Sequence, residues 1–260
     1  FYKLYNMLST GTAVEALSPE RKQQLPDAML CAVGGEPSPM ANVGPGFLAR
    51  FIGAQMWSTL FPSTKSFGFY VSEEWVAASK ATAEGVPYVS TNDVLVSSFC
   101  NCLQSRCVMM AINFRGKLNG CGEDDVGNYE DLLTYMPTDY ATPALIRKSV
   151  SGAGGVFSRA AQPRTLMLSN CEHLCYGTYG AITNWSTFAR GLSVHGAQQE
   201  LHLPLFDFPK ATPASIFGSM VIFRPGVACS VAVIIAGSQQ LIDKVKTSGM
   251  VGRPLEGLEF

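Results

Sequence analysis

The sequence predicts an α+β protein: a mixed, largely antiparallel sheet flanked by helices. Three observations carry this. Segments with apolar residues at helical spacing alternate along the chain with short strand-like runs. Two late runs, "ASIFGSMVIF" (214–223) and "VACSVAVII" (227–235), are joined by Arg224-Pro225-Gly226, the chemistry of a hairpin turn. The composition, 47% apolar and 15% charged with 25 Gly in 260 residues, is that of a folded, loop-rich chain with ample material for a core.

Taken in order, "FYKLYNMLS" places Phe1, Leu4, Tyr5 and Leu8 on one helical face, and Gly11 can end that helix. Residues 31–46 are Gly/Pro punctuation and read as a long loop. "FLARFIGAQMWSTLF" from Phe47 is again helical, stopped by Pro62. "KSFGFYVS" (65–72) is a strand. Ser72 then caps a helix with Glu73 and Glu74 in its first turn, Lys80 near its end and Gly85 beyond it. Ser90-Thr91-Asn92-Asp93 is a capping box before a stripe of Leu95, Phe99, Cys102 and Leu103, so Asp93 reads as a helix cap rather than a catalytic acid.

Val108 to Phe114 is a strand ending in Arg115, followed by an acidic loop. Thr142-Pro143 opens a helix, and "SGAGGVFSRAAQP" (151–163) reads as a flexible connection. "TLMLSN" (165–170) and "GAITNW" (180–185) are short strands. "SQQLIDKVKTSG" (238–249) is an amphipathic helix with basic residues late and Gly249 past its end.

Several functions are disfavoured at this level. Lys plus Arg (19) nearly balances Asp plus Glu (20), so a broad basic face for nucleic acid would need an equally acidic face elsewhere, and no nucleic-acid partner is expected. The longest apolar run, Val227 to Ala236, is too short to cross a bilayer. The eight Cys are irregularly spaced and read as free, packed thiols of a reducing compartment: cytosol, organelle matrix or stroma. Cys171-Glu172-His173-Leu174-Cys175 lacks the spacing of a zinc pair and no second pair follows, so no metal is expected. Gly152, Gly154 and Gly155 lack the Lys-Ser/Thr of a phosphate loop.

Read in order, "FGFYVSEEWVAASKATAEG", "VSTNDVLVSSFC", "INFRGKL", "VGNYE" and "AITNWSTF" resemble successive segments of the BAHD acyltransferases, in the wider chloramphenicol-acetyltransferase and condensation-domain superfamily. The resemblance runs from about 65 to 245. It implies a chloramphenicol-acetyltransferase-like fold of two similar domains facing each other across a channel. Residues 1–64 would end the first domain and cross over, and 65–260 would form the second. It further implies acyl transfer from acyl-CoA, the co-substrate, to a small-molecule hydroxyl or amine, without a metal. The base would be the His of an H-x-x-x-D motif.

By position, Arg115 resembles the arginine that pairs with that motif's aspartate, with Asn113 supporting the same strand. Thr183 and Trp185 match the segment that lines the reaction channel. There the Thr hydroxyl can donate to the tetrahedral oxyanion, and Asn184 stands where the family usually has Ser.

The pattern is incomplete. His173, His195 and His202 are not followed by Asp at the required spacing; Asp207 lies five positions after His202. The late "DFGWG" segment is unmatched, since Asp207-Phe208 continues as Pro209-Lys210. The opening "FYKLYNMLS" is similar to the helix that follows H-x-x-x-D in the family. The expectation is therefore the downstream part of a longer acyltransferase, with the base upstream. The alternative from another class is a non-catalytic structural subunit of a protein assembly that keeps the fold.

Overall fold

A computed structural model describes residues 7–14, 22–33, 35, 44–61, 63–122, 125, 129–150, 177–187, 193–194, 197–198, 203–204, 213, 215–226 and 230–259. The elements are α1 (Leu25–Ala32), α2 (Pro45–Leu60), β1 (Lys65–Val71), α3 (Glu73–Ala81), α4 (Thr91–Leu103), β2 (Cys107–Asn113), β3 (Glu130–Tyr135), α5 (Pro137–Tyr140), α6 (Pro143–Val150), β4 (Tyr179–Asn184), β5 (Ser193–Val194), β6 (Ala197–Gln198), β7 (Phe217–Phe223), β8 (Ala232–Gly237), α7 (Gln239–Thr247) and β9 (Val251–Glu259). Among these described residues no helix is long and apolar enough to cross a membrane.

Seven strands form one sheet in the order β3-β2-β4-β7-β8-β1-β9. The β2–β4 and β4–β7 pairs are parallel, and the others are antiparallel. This is the mixed, largely antiparallel sheet the sequence predicts. Strand alternation sends Phe67, Phe69, Val108, Met110, Met220 and Ile235 to one face, where they share a core with Leu95 and Phe99 of α4 and Leu241 and Val245 of α7. Burying each such side chain contributes about 1.5–3 kcal/mol.

Two glycines let the helices sit close. A Cβ on Gly218 would lie 2.8 Å from Leu103 Cδ1, and one on Gly237 would lie 2.7 Å from Leu241 Cδ2. The opposite face carries Val221, Phe223, Ala232 and Ile234, with Trp185 and Tyr70 packed against them.

The expected helix starts are present. Ser72, Ser90 and Ser238 each accept a hydrogen bond from the backbone N–H of the helix's first turn. The long loop read at 31–46 is corrected at both ends, where Cys31 and Ala32 close α1 and Pro45 opens α2, while 34 and 36–43 lie outside the described residues. Pro26 in the first turn of α1 suits a helix start, and Leu25 and Ala32 are buried against the core.

Strands β3 and β9 were not expected. Strand β9 contains Gly252 and Pro254, which disfavour a central strand, but it is the last strand in the order, where Pro is tolerated. The connection at 151–163, the strand at 165–170, and His173, His195, His202 and Asp207 lie outside the described residues.

Candidate active site

Strands β2 and β4 run parallel and pair from Cys107↔Tyr179 to Met110↔Ile182. Their C-terminal ends therefore leave the sheet on the same side. One end carries Asn113 and Arg115, the other Thr183 and Trp185.

At the end of β2 the chain folds on itself. Asn113 Oδ1 accepts from the Arg115 backbone N–H (3.0 Å) and from Arg115 Nη1 (3.2 Å). Arg115 Nε donates to the backbone carbonyl of Asp125 at 3.0 Å, and the guanidinium lies 5.2 Å from the Tyr129 ring centroid. Here Arg115 meets the main chain of Asp125, while the Asp125 carboxylate accepts from Lys22 Nζ and from the Gly122 N–H, both at 2.7 Å. The Lys22 ammonium holds the Asp125 carboxyl below its ordinary value, and the carboxylate raises Lys22 in return. Lys22 also donates to the Gly120 carbonyl, so the segment before α1 straps this loop. Glu123, Asp124 and 126–128 lie outside the described residues.

At the end of β4, Thr183 pairs with Val221 of β7, and Asn184 pairs with Ile222. Ile182 points into the helix-side core, so Thr183 and Trp185 belong to the opposite face. Trp185 is half-buried against Val221, Phe223 and Ile234. Thr183 is also half-buried, on a face whose neighbours are apolar.

Asn184 turns the other way and is fully engaged. Its Oδ1 accepts from the Ser186 backbone N–H (2.9 Å) and hydroxyl (2.6 Å), and its Nδ2 donates to Asn92 Oδ1 at 2.8 Å.

Asn92 sits in the first turn of α4, inside the stretch the sequence marks as a cap. The capping box is present in both directions, with Ser90 N–H donating to Asp93 Oδ2 at 2.7 Å and Asp93 N–H donating to Ser90 Oγ at 3.3 Å. Asp93 has a second partner the sequence does not signal. Arg147 of α6 reaches its Oδ2 through Nε (2.7 Å) and Nη2 (2.5 Å), and Asp93 is fully buried. The Arg147 guanidinium stacks on Tyr88, 4.6 Å from the ring centroid.

A cleft of about 640 Å³ opens elsewhere, between Tyr70, Ser72, Glu73, Ser230 and Arg253 at the β1–β9 edge, and takes in neither Arg115 nor Thr183. Among the described residues no group of three or more His, Cys, Asp or Glu side chains could hold a metal ion. The described cysteines, Cys31, Cys100, Cys102, Cys107 and Cys121, are free thiols. Burial pushes Cys100 well above the ordinary thiol range.

No family model and no curated protein matches the sequence. Solved structures do. TRI101 of F. graminearum, crystallised with coenzyme A and T-2 mycotoxin, superposes with a TM-score of 0.57 at 14% identity, over 94% of this chain and 59% of that one. Vinorine synthase superposes less well, with a TM-score of 0.48 at 14% identity over 73% of this chain and 48% of that one. The epimerization domain of the third module of tyrocidine synthetase B gives a TM-score of 0.44 at 10% identity over 94% and 60%. The chain thus spans about half to three-fifths of the length of the chains it resembles. At this identity what is shared is the fold. It is the chloramphenicol-acetyltransferase-like fold expected from the ordered segments, and that resemblance is borne out at the level of the fold.

Proposed function

We propose that this chain is the downstream part of an acyltransferase that moves an acyl group from acyl-CoA to a hydroxyl or amine. The carrying observation is the fold held in common with TRI101, whose crystals contain coenzyme A and T-2 mycotoxin. A second support is local: Arg115 and Thr183 stand at the same ends of two neighbouring parallel strands. In this reading residues 1–64 complete a first domain and 65–260 form the second, with the channel between them.

The chemistry is general-base acyl transfer. A histidine supplied from upstream takes the acceptor's O–H or N–H proton as the oxygen or nitrogen attacks the thioester carbonyl. The Thr183 hydroxyl donates to the oxyanion that forms. The C–S bond then breaks, the base returns its proton to the departing thiolate, and coenzyme A leaves as the thiol. Trp185 walls the channel and excludes water. Arg115, held by Asn113, braces the aspartate beside the base.

Release of free thiol from acetyl-CoA and longer acyl-CoAs, measured for the full-length protein with hydroxyl and amine acceptors, tests this. Acceptor-dependent release is expected, with kcat reduced about 100-fold by Thr183→Ala. Absence of release with every acceptor overturns the reading. It would favour the competing one, a non-catalytic member of an assembly, which should instead retain a stoichiometric protein partner.

A further inference from the structure

We infer that Asn92 is a positioning residue: its side-chain oxygen holds the end of β4 so that Thr183 and Trp185 keep their aim on the opposite face. The inference rests on the acyltransferase reading above and adds a residue to which that reading gives no role.

The donor and acceptor assignments follow from the geometry. The Ser186 backbone N–H can only donate, so the Asn184 atom facing it at 2.9 Å is the oxygen. The Asn184 amide nitrogen must then face Asn92, and Asn92 must present its oxygen, at 2.8 Å. Both ends of Asn184 are thereby committed, one to α4 and one to the turn that follows Trp185.

The anchor does not yield. Asn92 lies between Ser90 and Asp93, which close a two-way capping box, and Asp93 is buried against Arg147. The first turn of α4 is therefore fixed to α6 as well as to its own backbone. Asn92 Nδ2 also lies 3.8 Å from Met110 Sδ of β2, so the side chain is seated between α4 and the parallel strands.

The held element is where a strand would otherwise loosen. The β4–β7 register runs to Asn184↔Ile222, and one further backbone bond, Trp185 N–H to the Ile222 carbonyl at 2.7 Å, follows it. Because side chains alternate, a tether on Asn184 sets the rotation of the strand that presents Thr183 on one side of it and Trp185 on the other. A hydroxyl meant for an oxyanion acts only if it is aimed to within a fraction of an ångström.

Donor–acceptor matching supplies the test, with kcat and KM measured on the full-length protein. Asn92→Leu removes the acceptor at nearly constant size. It is expected to lower kcat about 10-fold or more while KM for the thioester stays within about twofold, since the aimed hydroxyl acts in the transition state. Asn92→Asp keeps an acceptor and is expected to recover most of the lost kcat.

Asn184→Asp alone is tolerated, because Asn92 can turn its amide to donate. Asn92→Asp combined with Asn184→Asp sets two acceptors face to face and is expected to lose activity like Asn92→Leu. Exchange of the Asn184 side-chain amide in the 15N-labelled wild type and the Asn92 single variants reports the hydrogen bond independently of turnover, and the backbone amide spectrum confirms that each variant, the double included, is folded.

An active wild type with Asn92→Leu equally fast, a loss that lies wholly in KM, or a double variant no worse than the singles overturns the positioning role alone. A wild type that releases no thiol overturns the acyltransferase reading, and this role falls with it.

Discussion

Helices α4 and α2 are both written in apolar residues at helical spacing, and they end in opposite surroundings. Helix α4 buries seven of its residues, including Leu95 and Phe99 at 0% exposure. Helix α2 is longer and buries only Phe47 and Ser58. One of its sides reaches the sheet, where Phe47 meets Tyr179 edge-on with ring centroids 4.8 Å apart. On another, Leu48, Ile52, Met56 and Leu60 recur every fourth residue and are 50–71% exposed. Periodicity says which side of a helix is apolar. It does not say what that side meets.

The contrast can be broken first at the ion pair that seats α4. Arg147→Ala leaves the fully buried Asp93 carboxylate without its cation and is expected to cost about 3–5 kcal/mol in urea unfolding. A loss below about 1 kcal/mol would mean that α4 is seated by apolar packing alone.

The next effect is alkaline. Tyr135 shares a hydrogen bond with Ser149 Oγ at 2.8 Å, and the Tyr140 hydroxyl donates to the Ser105 carbonyl beside the end of α4. Burial pushes both phenols above their ordinary value. Their folded values thus exceed the unfolded one, near 10. The stability they contribute is fully present below about pH 10 and is lost as pH rises toward the folded values. The urea midpoint is expected to fall above pH 10, and less steeply in Tyr135→Phe. A midpoint flat to pH 11 would contradict the sign.

The smallest effect belongs to α2. Ile52→Gln and Met56→Gln are expected to change stability by no more than about 0.5 kcal/mol, because the side chains are already in water. A loss above about 1.5 kcal/mol would show that this side is covered in the folded protein in solution and would erase the contrast.

Much of the site's scaffold was legible in the sequence. Val108 to Phe114 is a short continuous apolar run and Gly180 to Trp185 a short strand-like run, so β2 and β4 could be placed from the sequence, while the residues of interest at their ends came from the resemblance of the ordered segments. What lay beyond reach was the joining of distant parts. Asn92 was hidden inside a cap motif, and its partner Asn184 lies 92 positions away. Asp93 looked complete as a cap, and Arg147 carries no local mark of its second role.

By itself the sequence determined the starts of α3 and α4, through Ser72 and Ser90. It also determined the α+β class and the order of segments that betrays the fold. These depend on the backbone of a few neighbouring residues and on side-chain periodicity, which are local quantities. Only the tertiary structure decided that β3 and β9 are strands, that Cys31 and Ala32 belong to a helix, and that one asparagine in a helix cap reaches the strand bearing Thr183. Strand pairing and long-range hydrogen bonds depend on which surfaces are brought together when the core forms. No window of neighbouring residues contains that information.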